Sequence, residues 1–183
     1  GGSRFAEARV AAEAETRQTL GREVTLAEIY AHPALRGTDP AAECAAELAM
    51  IAPNRPVAQA AAACHARGQK VYAVSDMYLP KEQIEAMLQK CGLDFLDGVF
   101  VSCEYGMQKR SGKLFKLFLQ QTALRPAEVL FVGDSPRADF AGAALAGIRC
   151  FLLPQPTPLP YTKTPADAVG GVAIAPCKTA ARI

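Results

Sequence analysis

A chain of 183 residues, half of them apolar, can bury one respectable core, so a single domain with appendages is expected. Its net charge of +2 makes no electrostatic case for nucleic acid, and no apolar run approaches the roughly 18 residues that a bilayer span needs, so no membrane partner is expected either. The six cysteines, Cys44, Cys64, Cys91, Cys103, Cys150 and Cys177, form no Cys-x-x-Cys pair and sit mostly in apolar patterns, which reads as buried reduced thiols of a cytoplasmic protein.

Residues 4–20 are rich in strong helix formers and lack Gly and Pro, which predicts a helix ended by Gly21. Thr25 followed three residues later by Glu28 is a capping-box pattern that opens a short helix through Tyr30. Asp39-Pro40 has the N-cap and first-turn signature of another helix, running towards Met50. The first fifty residues therefore read as all-helical.

From Arg55 the pattern changes to alternating helix and strand. Residues 57–67 read as a helix closed by Gly68, and 70–74 as a strand. Ile84, Met87, Leu88 and Cys91 then recur at i, i+3, i+4 and i+7 before Gly92, the signature of an amphipathic helix with its stop signal. A strand at 98–102 precedes a helix at 112–124 that carries Leu114, Phe115 and Phe118 on one face. Strands at 129–132 and 148–153 flank an Ala-rich helix ending at Gly147. Such alternation implies right-handed βαβ units and a parallel sheet, an α/β fold of three layers. After Leu153 the chain turns Pro-rich and linker-like. Three regions follow: a helical part at 1–54, an α/β core at 55–154, and a Pro-rich linker or tail at 155–183.

Three loops fall at the carboxyl ends of successive strands, where open α/β sheets bind ligands. They carry Ser75-Asp76, the stretch from Glu104 to Lys109, and the carboxylates Asp134 and Asp139. Two carboxylates at one strand end suggest a hard cation, most simply Mg²⁺. Taken singly, each element has a plainer reading. Ser75-Asp76 suits an N-cap, and Lys109 lies in a basic run with Arg110, Lys113 and Lys116 that would suit a solvated helix face. His32 and His65 lie far apart without ligand-spaced partners, and Asp94 and Asp97 flank a turn. Met77 and Tyr78 could line a substrate or pack against the helical region.

Order and spacing add to these readings. From about Lys70 to Leu153 the chain resembles the haloacid dehalogenase-like (HAD) hydrolase superfamily of phosphohydrolases. Ser75 ends a strand as in that family's second motif. Lys109, followed six residues later by Phe115, resembles the third, with Arg110 where Pro is familiar and Lys113 as the alternative lysine. Gly133-Asp134, then Asp139, an Ala-rich helix and Gly147-Ile148, resembles the fourth. The resemblance implies a Rossmann-like HAD fold with a helical cap on the N-terminal side. It also implies a Mg²⁺-dependent phosphatase that acts on a small phosphorylated substrate through an aspartyl-phosphate.

In those terms Ser75 and Lys109 are the catalytic candidates. Ser75, Asp76, Met77 and Lys109 would bind the substrate's phosphoryl group, the amides of Asp76 and Met77 acting from the next helix's N-terminus. Asp134 would hold the metal directly, and Asp139 would reach it through water or orient the lysine.

The family's first motif, Asp-x-Asp on a central strand, has no match: aspartates stand at 39, 76, 94, 97, 134, 139 and 167, and no pair is two residues apart. The nucleophile and the acid/base are thus lacking, and the chain, which opens Gly-Gly-Ser without an initiator Met, is expected to be N-terminally truncated and inactive alone. Without that strand two apolar edges would stand unpaired. Residues 168–175 could fill the gap, although their glycines argue against a central position. The alternative is a non-catalytic phosphate-binding or interaction module. The stretches around Ser75 and Lys109 are similar to forms found beside bacterial glycosyltransferase domains in polysaccharide synthesis, which implies an adjacent domain in a longer chain.

Overall fold

Five strands form one sheet in the computed structural model, which describes residues 2–154 and 171–175. Strand β1 (Lys70–Ser75) pairs in parallel with β2 (Gly98–Val101), and β3 (Leu130–Gly133) pairs in parallel with β4 (Arg149–Leu152). Between β1 and β3 lies β5 (Gly171–Ala175), antiparallel to both, which gives the order β2-β1-β5-β3-β4. Because β5 opposes each of them, β1 and β3 run the same way, and their carboxyl ends share one edge of the sheet.

The central place of β5 corrects two expectations. The sheet is mixed rather than wholly parallel, and part of the region expected as linker or tail is a strand. The physical reason is pairing: β1 and β3 are apolar strands whose inner backbone groups need partners. The stretch Val-Ala-Ile-Ala supplies them, with Gly171 only at the strand's first position, opposite Val74. Residues 155–170 and Cys177 lie outside the described residues.

Side chains alternate across the sheet with period two. Val71, Ala73, Val99 and Val101 point to one face, where they pack with Ala61 of α4 (Arg55–Ala66) and Ile84, Met87 and Leu88 of α5 (Lys81–Lys90). Tyr72, Val74, Phe100 and Phe131 point to the other, where, after the short α6 (Ser102–Tyr105), Leu114, Phe115 and Phe118 of α7 (Lys113–Thr122) pack against them. The helix stripe expected from the sequence is thus the buried one. Phe118 meets Phe100 edge-on at 5.2 Å, and Phe115 meets Phe131 at 4.8 Å.

The helical region comprises α1 (Gly2–Leu20), α2 (Leu26–Tyr30) and α3 (Pro40–Met50), with Asp39 capping the last as its sequence predicts. Ala12, Val24, Ile29 and Leu35 form its own small core. It is also joined directly to the sheet layers. The Leu26 amide donates to the Tyr78 carbonyl at 2.8 Å, Gln83 donates to the Cys44 carbonyl, and Lys90 donates to the carbonyls of Leu48 and Ala49.

The capping box at α2 is complete: Thr25 Oγ1 accepts from the Glu28 amide, and Glu28 accepts from the Thr25 amide. Thr25→Ala is expected to cost about 1 kcal/mol, a fall of roughly 2–4 °C in Tm for a chain of this size. A thermal melt followed by circular dichroism reads that shift.

Other expectations resolve locally. Cys44, Cys64, Cys91, Cys103 and Cys150 are unpaired thiols, but only Cys103 is buried; the other four are half-buried because they pack at the periphery, Cys44, Cys64 and Cys91 on the core of one sheet face and Cys150 on that of the other. Asp97 has more than a turn role: its carboxylate accepts from the Val71 amide at 2.8 Å and pairs with Lys70, tying the start of β1 to the turn before β2. His65 stacks on Phe95, and His32 contacts Glu15. Among the described residues no helix is long and apolar enough to cross a membrane.

Candidate active site

Ser75, the last residue of β1, is 2% exposed, and its Oγ has no hydrogen-bond partner among the described residues. A buried hydroxyl without a partner is uncommon and costs on the order of 1–3 kcal/mol, so it calls for an explanation. At the same edge of the sheet β3 delivers Gly133 and then Asp134, which is half-buried.

The chain continues as a π-helical segment, Pro136–Ala141, before α8 (Gly142–Leu145). Single turns of this kind occur frequently at functional sites. Here the turn buries Asp139 and points its carboxylate back over its own strand end. Asp139 Oδ2 accepts from the amides of Asp134 and Ser135, each at 3.0 Å, and Oδ1 accepts from Lys109 Nζ at 2.6 Å. Lys109 is 5% exposed and Asp139 is 2% exposed, so this is a buried ion pair whose carboxylate is also satisfied by backbone donors.

Two glycines permit that approach. A Cβ on Gly133 would lie 2.4 Å from Asp139 Oδ2, and one on Gly142 would lie 2.1 Å from the Lys109 carbonyl oxygen. Lys113 and Arg110 are exposed, so of the basic run only Lys109 is turned inward, its ammonium also lying 5.7 Å from the Phe131 ring centre.

The Ser75–Pro80 turn departs from expectation. Helix α5 begins at Lys81, so the amides of Asp76 and Met77 do not stand at a helix N-terminus. The Met77 amide instead donates to Ser102 Oγ at 2.9 Å, which removes it from the substrate-binding group expected there. Asp76 Oδ1 accepts the Lys109 amide at 2.9 Å, joining the first two loops. Burial raises the Asp76 carboxyl above its ordinary range; the charge and amide of Lys109 oppose this, while Glu23 and Asp139 add to it. Met77 packs in the core, and Tyr78 lies under the Arg9 guanidinium of α1, 4.5 Å from ring centre to Cζ, so both pack rather than face a substrate.

Two residues that local sequence did not single out belong to this region. Ser102 follows β2 as Ser75 ends β1, and the repeated Val-Ser at two strand ends was a signal for it. Glu23, in the turn after α1, is 2% exposed and meets Ser102 from across the chain. Nothing local marks it.

Metal fit follows from the same contacts. Among the described residues no three His, Cys, Asp or Glu side chains converge as a metal site would need. Of the two roles open to Asp139, the geometry matches orientation of the lysine. Mg²⁺ usually takes one or two carboxylates together with waters and phosphate oxygens, so these residues alone furnish only part of a shell.

The sequence model of one protein family, described as haloacid dehalogenase-like hydrolase, matches residues 3–147. The chain belongs to that family. Among curated relatives, this HAD-like hydrolase is 32% identical over 97 residues to haloacid dehalogenase-like hydrolase domain-containing protein 3 of Bos taurus, covering 52% of this chain and 38% of that protein. It is 41% identical over 51 residues to the phosphoserine phosphatase of Thermus thermophilus, covering 28% of this chain and 20% of that one. The chain thus spans about a fifth to two fifths of these relatives' lengths. Its fold is similar to that of CbbY from Rhodobacter sphaeroides, solved with phosphate, at a TM-score of 0.55 and 19% identity over 82% of this chain and 80% of that one.

Proposed function

We propose that this chain carries the phosphate-binding part of a phosphohydrolase site, for a small phosphorylated substrate. The observation that carries the reading is the buried Ser75 hydroxyl, without a partner among the described residues, at the strand edge where Lys109 is held by Asp139. A phosphoryl oxygen would take the hydrogen bond that Ser75 does not make, and the Lys109 ammonium would offset its negative charge. Asp139 and the Asp76 carboxylate fix the lysine by its head and its backbone. The match to a hydrolase family and the phosphatase among the relatives support the same substrate class.

Mg²⁺ belongs to this reading through Asp134, the carboxylate at the end of β3, with further oxygens from outside the set described. The 183 residues contain no Asp-x-Asp, and a central antiparallel β5 stands where the family resemblance calls for the strand bearing it. In the proposal, turnover through an aspartyl-phosphate therefore requires an Asp-x-Asp from outside these 183 residues. A second reading, a phosphate-binding module that never turns over, is favoured by that same β5. The coding sequence upstream separates them: an apolar strand ending in Asp-x-Asp supports the enzyme, and a start codon close before residue 1, with no such strand, supports the module.

Both readings expect phosphate binding. Isothermal titration with inorganic phosphate should detect it, and Ser75→Ala should weaken it about tenfold, the loss of roughly one hydrogen bond to a charged group, while Ser75→Thr retains it. Equal affinity in Ser75→Ala and the parent chain would sink the assignment.

A further inference from the structure

Glu23 is the buried acid that the phosphate site does not use. Its carboxylate is fully engaged. Oε1 accepts from Gln108 Nε2, and Oε2 accepts from Ser102 Oγ and Arg17 Nη2, each at 3.3 Å. It comes from the turn between α1 and α2, separated by 79 residues from Ser102 and 85 from Gln108. A fully bonded, 2% exposed carboxylate has nothing to offer a substrate. Its partners, however, are the ones that set the site: Ser102 Oγ takes the Met77 amide, two residues after Ser75, and Gln108 immediately precedes Lys109.

We propose that Glu23 is a positioning residue, through which the helical layer sets the Ser75–Met77 turn by way of Ser102 and the Lys109 turn by way of Gln108. The inference rests on the phosphate-site reading for its consequence but not for its geometry. Two turns that must grip one anion are far apart in sequence, and a single two-oxygen acceptor fixes their spacing. Polar links of this kind are costly when half broken, because each orphaned buried donor loses its partner. The neighbouring Arg22 reinforces the contact: it donates to the Glu23 carbonyl, and its stem lies where a Cβ on Gly106 would come within 3.3 Å.

The test is amide hydrogen exchange by NMR on the full chain, which needs no ligand. In Glu23→Gln the Met77 and Lys109 amides are expected to exchange about tenfold faster. The Leu26 amide, bonded to the Tyr78 carbonyl across the same boundary between layers, should be unchanged. Inorganic phosphate affinity should fall about fivefold. Single-arm variants divide the effect: Ser102→Ala should release Met77 alone, and Gln108→Ala should release Lys109 alone.

Faster exchange at Leu26 to the same degree would mean that Glu23 merely holds the layers together and would overturn the inference, as would unchanged exchange at all three amides. Should Glu23→Gln not fold, the two single-arm variants carry the same decision. A parent chain that binds no phosphate would overturn the site reading while leaving the exchange result to judge the positioning role.

Discussion

Asp139→Ala is expected to destabilise the chain by about 3–5 kcal/mol, the range seen when a buried ion pair loses one partner. The substitution strands Lys109 Nζ, which is 5% exposed at the residue level and gives its 2.6 Å bond to this carboxylate. It also strands the amides of Asp134 and Ser135. The usual remedy for a buried pair, replacing both members by apolar groups, would not restore stability here, because those two amides would still lack an acceptor.

The ranking of variants follows. Lys109→Met should cost less than Asp139→Ala, since Asp139 keeps two backbone donors. Asp139→Asn should fall between the parent and Asp139→Ala, because a side-chain oxygen can still accept from the amides while its NH₂ opposes the lysine. Urea denaturation of the variants gives the order from the midpoints at constant m. A Lys109→Met loss equal to or above that of Asp139→Ala would contradict the claim that the backbone donors, as well as the lysine, anchor this carboxylate.

What was legible in the sequence was whatever is written in local pattern. The capping box at Thr25, the Asp39-Pro40 start of α3, the stripe of Ile84, Met87 and Leu88 and the run of β-formers in β1, buried from Val71 to Ser75, each follow from neighbours within a few positions. The residues placed at strand ends were readable for the same reason: Ser75 and Asp134 follow apolar runs, and spacing in the resemblance singled out Lys109 and Asp139. The partner from across the chain, Glu23, was not. Glu23 meets Ser102 and Gln108 only after the fold is closed, and a Glu beside Arg22 reads locally as a solvated turn. The centre of the sheet was misjudged because glycines were weighed as if they fell mid-strand, whereas β5 begins at Gly171 and continues as Val-Ala-Ile-Ala. The Ala-rich helix after Asp134 was legible as helix but not as a π-helical turn, because its widened geometry serves the placement of Asp139 rather than any local propensity.

Gly142→Ala sets propensity against packing, and packing should win. Gly142 has ordinary right-handed helical backbone angles, φ −64° and ψ −43°, so alanine would be favoured there by about 1 kcal/mol on intrinsic grounds. The added Cβ would stand 2.1 Å from the Lys109 carbonyl oxygen and 2.8 Å from its carbon. Both are backbone atoms, so no side-chain rotation relieves the overlap, and the turn at Lys109 or the start of α8 must move. Overpacking of this kind costs typically 1–3 kcal/mol. The larger consequence is local: displacing the Lys109 turn lengthens its 2.6 Å bond to Asp139 and its amide bond to Asp76. The expected result is a net loss of about 2 kcal/mol in urea denaturation, with phosphate affinity down about tenfold. A stabilised Gly142→Ala chain with parental phosphate binding would show that the close approach of α8 to the lysine turn is not what holds the site.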